Sequence, residues 1–199
     1  METNAILMYI HAYGYIIIFL FLFFGIVGIP APEESLLFLL GVLIAHQQLA
    51  WEYCLLAGLL GVNVGMLSAY GAGFFLGQPF INKYGKYVGI NKDRWHRADA
   101  TFRKYGRWTI LFGYYLPGIR QISPYMAGMT NFPFVPFLLL SCIGSLLWTI
   151  PFVLLGAFFG ERFTFPLSYI PLIGLGMFVL FILGVWLNQM IKKKQYGNR

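Results

Sequence analysis

Three charged side chains stand where an apolar chain has least reason to carry them. Arg120 follows Leu116-Pro117-Gly118 inside the apolar segment 110–129, and Glu33 and Glu34 follow Pro30-Ala31-Pro32 and lead into the apolar run Leu36 to Ala45. A charge at the centre of a membrane helix costs roughly 2.5–3.5 kcal/mol on insertion scales, so such residues mark a function or a partner. A guanidinium grips phosphate oxygens through a planar fork and stays charged at physiological pH. In the mouth of a hairpin, Arg120 gives a phosphate a reason to leave the headgroup layer. The alternative is an ion pair with Glu33 or Glu34 that joins two segments, and the two roles are compatible. A carboxylate that is buried, or has a like charge beside it, holds its proton more tightly. Such a group exchanges protons near neutral pH, as in proton-coupled transport. Being adjacent, Glu33 and Glu34 cannot share one helix face. Glu34 is read as the inward group, for a proton or an amine, and Glu33 as a solvent-facing cap favoured by the helix dipole.

Gln121 and Ser123 flank Arg120 and join it as candidate lipid-phosphate ligands, while Pro30, Pro32, Pro117 and Gly118 make the turns. Ser35, Asn63, Ser68, Tyr114, Tyr115, Asn131, Ser141 and Ser145 read first as interhelical hydrogen-bonding groups. His11, His46 and His96 have no metal-ligand spacing, and no nucleophile elbow, phosphate-binding loop or dinucleotide fingerprint occurs. No enzyme activity, metal or cofactor is expected. Cys54 and Cys142 read as small core residues.

The elements that must hold these groups are membrane helices. Of 199 residues 59% are hydrophobic and 11% charged, against about 25% charged in soluble domains. Four runs reach the roughly 20 residues a span requires: Met8 to Ile29, Tyr53 to Phe80, Phe134 to Phe159 and Leu167 to Ile191 (the last helix being placed at 166–191). Met1 to Met8 has no basic n-region, so no cleavable signal peptide is expected. Ser35 to Ala45 is about half a span, and Trp108 to Met129 is cut by Pro117-Gly118 and again by Pro124. Both are read as re-entrant hairpins, 30–50 and 108–131, since broken backbone survives at membrane depth only inside protein or beside a wet cavity. The expected fold is all-α and membrane-integral, one domain with four spans and two hairpins.

The net charge of +7 is a topology signal and no sign of nucleic-acid binding, because the basic residues fall in two blocks. One is the segment 80–107, with Lys83, Lys86, Lys92, Arg94, Arg97, Arg103, Lys104 and Arg107; the other is Lys192-Lys193-Lys194 with Arg199. The positive-inside rule puts both blocks, and with four spans both termini, in the cytoplasm. The hairpins then enter from opposite sides, as in an inverted repeat with its site at the midplane. Asn82 to Arg107, mixing charge with Tyr84, Trp95 and Phe102, is either an interfacial helix or a solvated loop. Gly58, Gly61, Gly65, Gly73 and Gly77 give small-xxx-small spacing, for helix packing or, less readily, a homodimer.

Phe112-Gly113-Tyr114-Tyr115-Leu116-Pro117-Gly118-Ile119-Arg120, with Ala127-Gly128-Met129 beyond it, resembles the signature of the DedA family, also called the VTT or SNARE-associated domain family. Gly28-Ile29-Pro30-Ala31-Pro32-Glu33-Glu34 is similar to the family's entry to its first hairpin. Gly61, Gly65, Tyr70, Gly73 and Gly77 resemble its glycine-rich helix, and Gly144, Trp148 and Gly156 its G-x-x-x-W helix. The likeness covers about residues 10–160. It departs at Tyr114, where the family's first arginine falls, and near Gly25, where many members carry an acid. The resemblance implies opposed re-entrant hairpins and movement of lipid between leaflets of a bacterial cytoplasmic membrane; members are associated with undecaprenyl phosphate recycling, phosphatidylethanolamine flipping and proton-dependent physiology.

One arginine and two carboxylates suit a zwitterionic head better than a doubly anionic phosphate monoester. Phosphatidylethanolamine is therefore the favoured lipid partner and undecaprenyl phosphate the second. A proton-coupled small-solute transporter and a structural assembly factor are the rival functions.

Overall fold

The computed structural model describes residues 2–29, 31–84, 92–116 and 118–162, with side chains described for 13–29, 31–77, 96–116 and 118–162. The fourth expected span, the C-terminal basic block and the turn residues Pro30 and Pro117 lie outside the described residues. Within them the chain is helical throughout: α1 (Glu2–Val27), α2 (Glu33–Ala45), α3 (Trp51–Tyr84), α4 (Lys92–Phe112), a 3-10 turn (Gly113–Tyr115), α5 (Ile119–Met129) and α6 (Phe134–Arg162). Stretches Trp51–Gly77 and Phe134–Arg162 are long and apolar enough to cross a membrane, and Tyr13–Val27 is a shorter apolar helix.

Contacts divide the chain into two compact units, one of Met1–Ile29 with Ala50–Pro151 and one of Pro30–Leu49 with Phe152–Arg199. In the first, α3 is the central helix, and its glycines serve two partners. A Cβ on Gly61 would strike Phe19 of α1, and one on Gly65 would crowd Ile26 of the same helix. A Cβ on Gly73 would strike the Tyr125 carbonyl of α5, and one on Gly77 would strike Met129. In return, one on Gly128 would strike the Tyr70 carbonyl. Helices meeting backbone to backbone in this way gain dispersion contacts, the main attraction left to them where the surroundings are hydrocarbon. The second unit repeats the device: α2 meets the end of α6 at Gly41, Gly156 and Gly160, with Phe38 and Phe159 rings 6.0 Å apart beside them.

Prolines inside helices are tolerated because hydroxyls occupy the carbonyls they leave behind. A proline at position i has no N–H for the carbonyl of i−4. The Tyr115 hydroxyl donates to Leu147 O, four residues before Pro151, at 2.5 Å; Pro136 lies in the first turn of α6, where no helical bond is lost. Ser123 Oγ donates to Arg120 O, four before Pro124, at 3.4 Å. This corrects the expected second cut of the 108–131 segment: α5 runs through Pro124 without interruption. The break lies earlier, where α4 gives way to the 3-10 turn and Gly118, at φ 87°, precedes α5.

The basic segment is helical from Lys92 onward. Phe102, Gly106 and Ile110 of α4 are buried at four-residue spacing, while Arg97, Lys104, Arg107 and Trp108 are exposed. Arg103 pairs with Asp99 at 2.9 Å, and its guanidinium also reaches Thr130 O at 3.5 Å. The amphipathic reading of this segment therefore describes it better than a loop.

Candidate functional site

Arg120 is the second residue of α5 and only 3% exposed. Gly118 turns the chain through a left-handed conformation that disfavours a side chain, and this sets α5 so that Arg120, Ser123, Pro124, Ala127 and Gly128 are buried along one face. The guanidinium carbon lies 4.6 Å from the centre of the Trp148 ring, and Nη1 donates to the Tyr114 carbonyl at 3.2 Å. A cation over an indole face is attracted by the ring's quadrupole, by about 2 kcal/mol when water is excluded. The contact seats the guanidinium over the indole face.

Tyr114 completes the seat. Its hydroxyl donates to Ser141 O of α6 at 3.0 Å, and its ring centre is 6.0 Å from that of Trp148. Gly144 leaves the notch for it, since a Cβ there would meet the Tyr114 ring at 2.5 Å. Gly144 and Trp148 are four residues apart, so one face of α6 receives Tyr114 and Arg120 in succession. The resemblance named both residues but assigned neither a task, and Trp148 was not among the expected site residues. Its legible signal was its spacing of four residues from Gly144, and of three and seven from the polar positions Ser145 and Ser141.

The flanking residues face other partners. Gln121 Nε2 donates to Gly25 O at 3.1 Å and the Tyr125 hydroxyl to Val27 O at 2.6 Å, so α5 holds the last turn of α1. Ser123 Oγ faces Arg120 O. Ser68 and Asn131 are exposed, the latter at φ 52° in the turn after α5.

Glu33 and Glu34 belong to the second unit, as the first two residues of α2. Glu33 is fully buried and Glu34 half-buried, which reverses the expected assignment of Glu34 as the inward group and Glu33 as the cap. The reason is helical phase: Glu33, Leu37, Leu40 and Gly41 fall at i, i+4, i+7 and i+8, the buried stripe of α2. Pro32 occupies the cap position, with no side-chain capping bond.

A helical chain with two membrane-length apolar helices, close glycine packing and a buried guanidinium beside a broken helix belongs among integral membrane proteins. Residues 29–158 match the VTT domain model, and the chain belongs to that family, the DedA family of membrane proteins. It is 35% identical over 74% of its length to the uncharacterized membrane protein YbfM of Bacillus subtilis (strain 168), covering 91% of that protein. It is 29% identical to undecaprenyl phosphate transporter A of the same organism, over 66% of each chain. It is 29% identical to protein DedA of Escherichia coli (strain K12), over 85% of this chain and 78% of that one. No solved structure matches the chain.

Proposed function

We propose that this protein moves a phosphate-bearing lipid between the leaflets of a bacterial cytoplasmic membrane, with Arg120 holding the phosphate. The observation that carries the reading is the buried guanidinium seated on Trp148, in a family with a relative named for undecaprenyl phosphate transport. The ring fixes the position of the guanidinium, whose planar fork is suited to phosphate oxygens. Segments 30–50 and 108–131 are the re-entrant elements of this reading, and both chain termini are cytoplasmic. Gln121 and Ser123 support Arg120 through the backbone positions they hold. Glu33 is now the stronger candidate of the two acids for the proton or the amine, because it is the buried one. No covalent chemistry is part of the proposal.

Phosphatidylethanolamine is the first reading of the lipid. Tyr114 stands where the resemblance places a second arginine, and its side chain braces α6, so the described site offers one cation near the phosphate. Undecaprenyl phosphate is the second reading, favoured by the name of the Bacillus subtilis relative. Proteoliposomes carrying fluorescent phosphatidylethanolamine or fluorescent undecaprenyl phosphate, with an outer-leaflet quencher, test both. Wild type is expected to speed translocation of one of them and Arg120→Ala to abolish the gain. Equal rates for the two proteins in both arms would overturn the proposal.

A further inference from the structure

The cations of α4 have no part in the arginine seat, and they are gathered at one end of the helix. α4 and α5 lie antiparallel. At one end the Phe102 and Phe132 rings meet at 6.2 Å and the Arg103 guanidinium reaches Thr130 O; at the other a Cβ on Gly113 would meet Ile119 at 3.2 Å. The pair therefore has an open end, level with Arg103 and Met129, and a tip at Gly118. Arg120 stands nine residues before Met129, which sets it about 14 Å from the open end at 1.5 Å of rise per residue. No charged residue occurs from Trp108 to Ile119, so every charge of α4 precedes that stretch.

Arg97, Lys104 and Arg107 are exposed at the open end. Arg103 pairs with Asp99 at 2.9 Å, and among the described residues no acid meets the other three cations. Lys104, Arg107 and Trp108 stand at i, i+3 and i+4, which makes them one patch on the helix surface. Trp108 is 63% exposed and stacks on the exposed ring of Phe112, one turn nearer the tip, with centres 5.7 Å apart. Two cations thus head a strip of bare aromatic surface that leads toward Gly118. A phospholipid has the same order: a charged head, the interfacial level that Trp and Tyr prefer, then hydrocarbon. An acidic soluble protein would match the cations and leave the rings in water, whereas a lipid covers both.

We propose that Lys104 and Arg107, with Trp108, form a binding site for an anionic phospholipid of the surrounding leaflet. The headgroup phosphate lies between the ammonium and the guanidinium, which offers it a forked donor. The glycerol and the upper acyl chain lie along Trp108 and Phe112. Arg97 adds to the attraction without touching the lipid, since basic side chains near an anionic leaflet act together over a Debye length. The site is at the opposite end of the helix pair from Arg120. It stands whichever lipid Arg120 holds, and whether or not the protein translocates one.

The test titrates the full-length protein in detergent with phosphatidylglycerol or phosphatidylcholine and counts bound lipid by native mass spectrometry. Wild type is expected to bind phosphatidylglycerol roughly tenfold more tightly than phosphatidylcholine, at about fivefold for each cation. The double variant Lys104→Gln with Arg107→Gln is expected to lose that preference, and Lys104→Arg with Arg107→Lys, which keeps both charges, to retain it. Both side chains are exposed, so neither exchange disturbs the core. Ionic strength gives an independent readout on wild type alone: raising it is expected to weaken phosphatidylglycerol binding and to leave phosphatidylcholine binding unchanged. Equal affinity of wild type for the two lipids, an undiminished preference in the glutamine variant, or phosphatidylglycerol binding that ignores salt would each overturn the proposal.

Discussion

Arg120 is held by geometry that a lysine cannot reproduce. Its guanidinium lies over the Trp148 ring and donates to the Tyr114 carbonyl, whereas an ammonium is a compact, strongly hydrated point charge. Arg120→Lys is therefore expected to keep the charge and lose most translocation; a rate equal to wild type would mean charge alone suffices. Trp148 separates the seat from the charge. Trp148→Leu removes an attraction of about 2 kcal/mol and is expected to slow translocation by roughly tenfold or more, with Trp148→Phe falling between. Equal effects of Leu and Phe would leave Trp148 as packing only. Gly118 acts through backbone: at φ 87°, Gly118→Ala is expected to cost about 1–2 kcal/mol of stability, read from denaturation in detergent. No loss there would show that the turn is adaptable.

The helices can be tested against one another through their glycines and prolines. A Cβ on Gly73 would enter the backbone of α5, while one on Gly71 meets nothing within 4 Å. Gly73→Ala is expected to destabilise by about 1–3 kcal/mol, and Gly71→Ala to be neutral or to stabilise by up to about 1 kcal/mol; matching shifts in unfolding midpoint would refute the assigned packing. Tyr115→Phe leaves the carbonyl freed by Pro151 without its donor and is expected to cost about 1 kcal/mol. Much of this level was legible in the chain. The half-helix Glu33–Ala45, the broken segment before Arg120 and the long apolar helices all follow from runs of apolar residues and the turn chemistry between them. The small-xxx-small pairs announced close packing, though spacing alone leaves open that Gly61/Gly65 face α1 and Gly73/Gly77 face α5. Pro124 does not end α5, and Ser123 Oγ donates to the Arg120 carbonyl that it leaves without an N–H. The acids were ranked the wrong way because the phase of α2 depends on where its first turn begins, which adjacent glutamates do not reveal. Trp148 was unread as a site residue because an aromatic in an apolar helix looks like core until its partner is placed.

At the scale of the whole molecule, a guanidinium seated on an aromatic ring beside a broken helix gives a buried charge a fixed position, and in this family that position is proposed to meet a lipid phosphate. The two lipids differ in what they ask of it, one phosphodiester with an amine or one phosphate monoester, and the single cation of the described site favours the first. Contact between Arg120 and phosphorus is the central claim, and it is open to direct measurement. Solid-state NMR of protein labelled with 15N at arginine, in bilayers of phosphatidylethanolamine and, separately, with undecaprenyl phosphate added, reads guanidinium nitrogen to phosphorus dipolar coupling. The account predicts a coupling at hydrogen-bonding range that is present in wild type and missing in Arg120→Lys for one of the two lipids. Identical coupling in the two proteins with both lipids would place every arginine–phosphate contact elsewhere and contradict it.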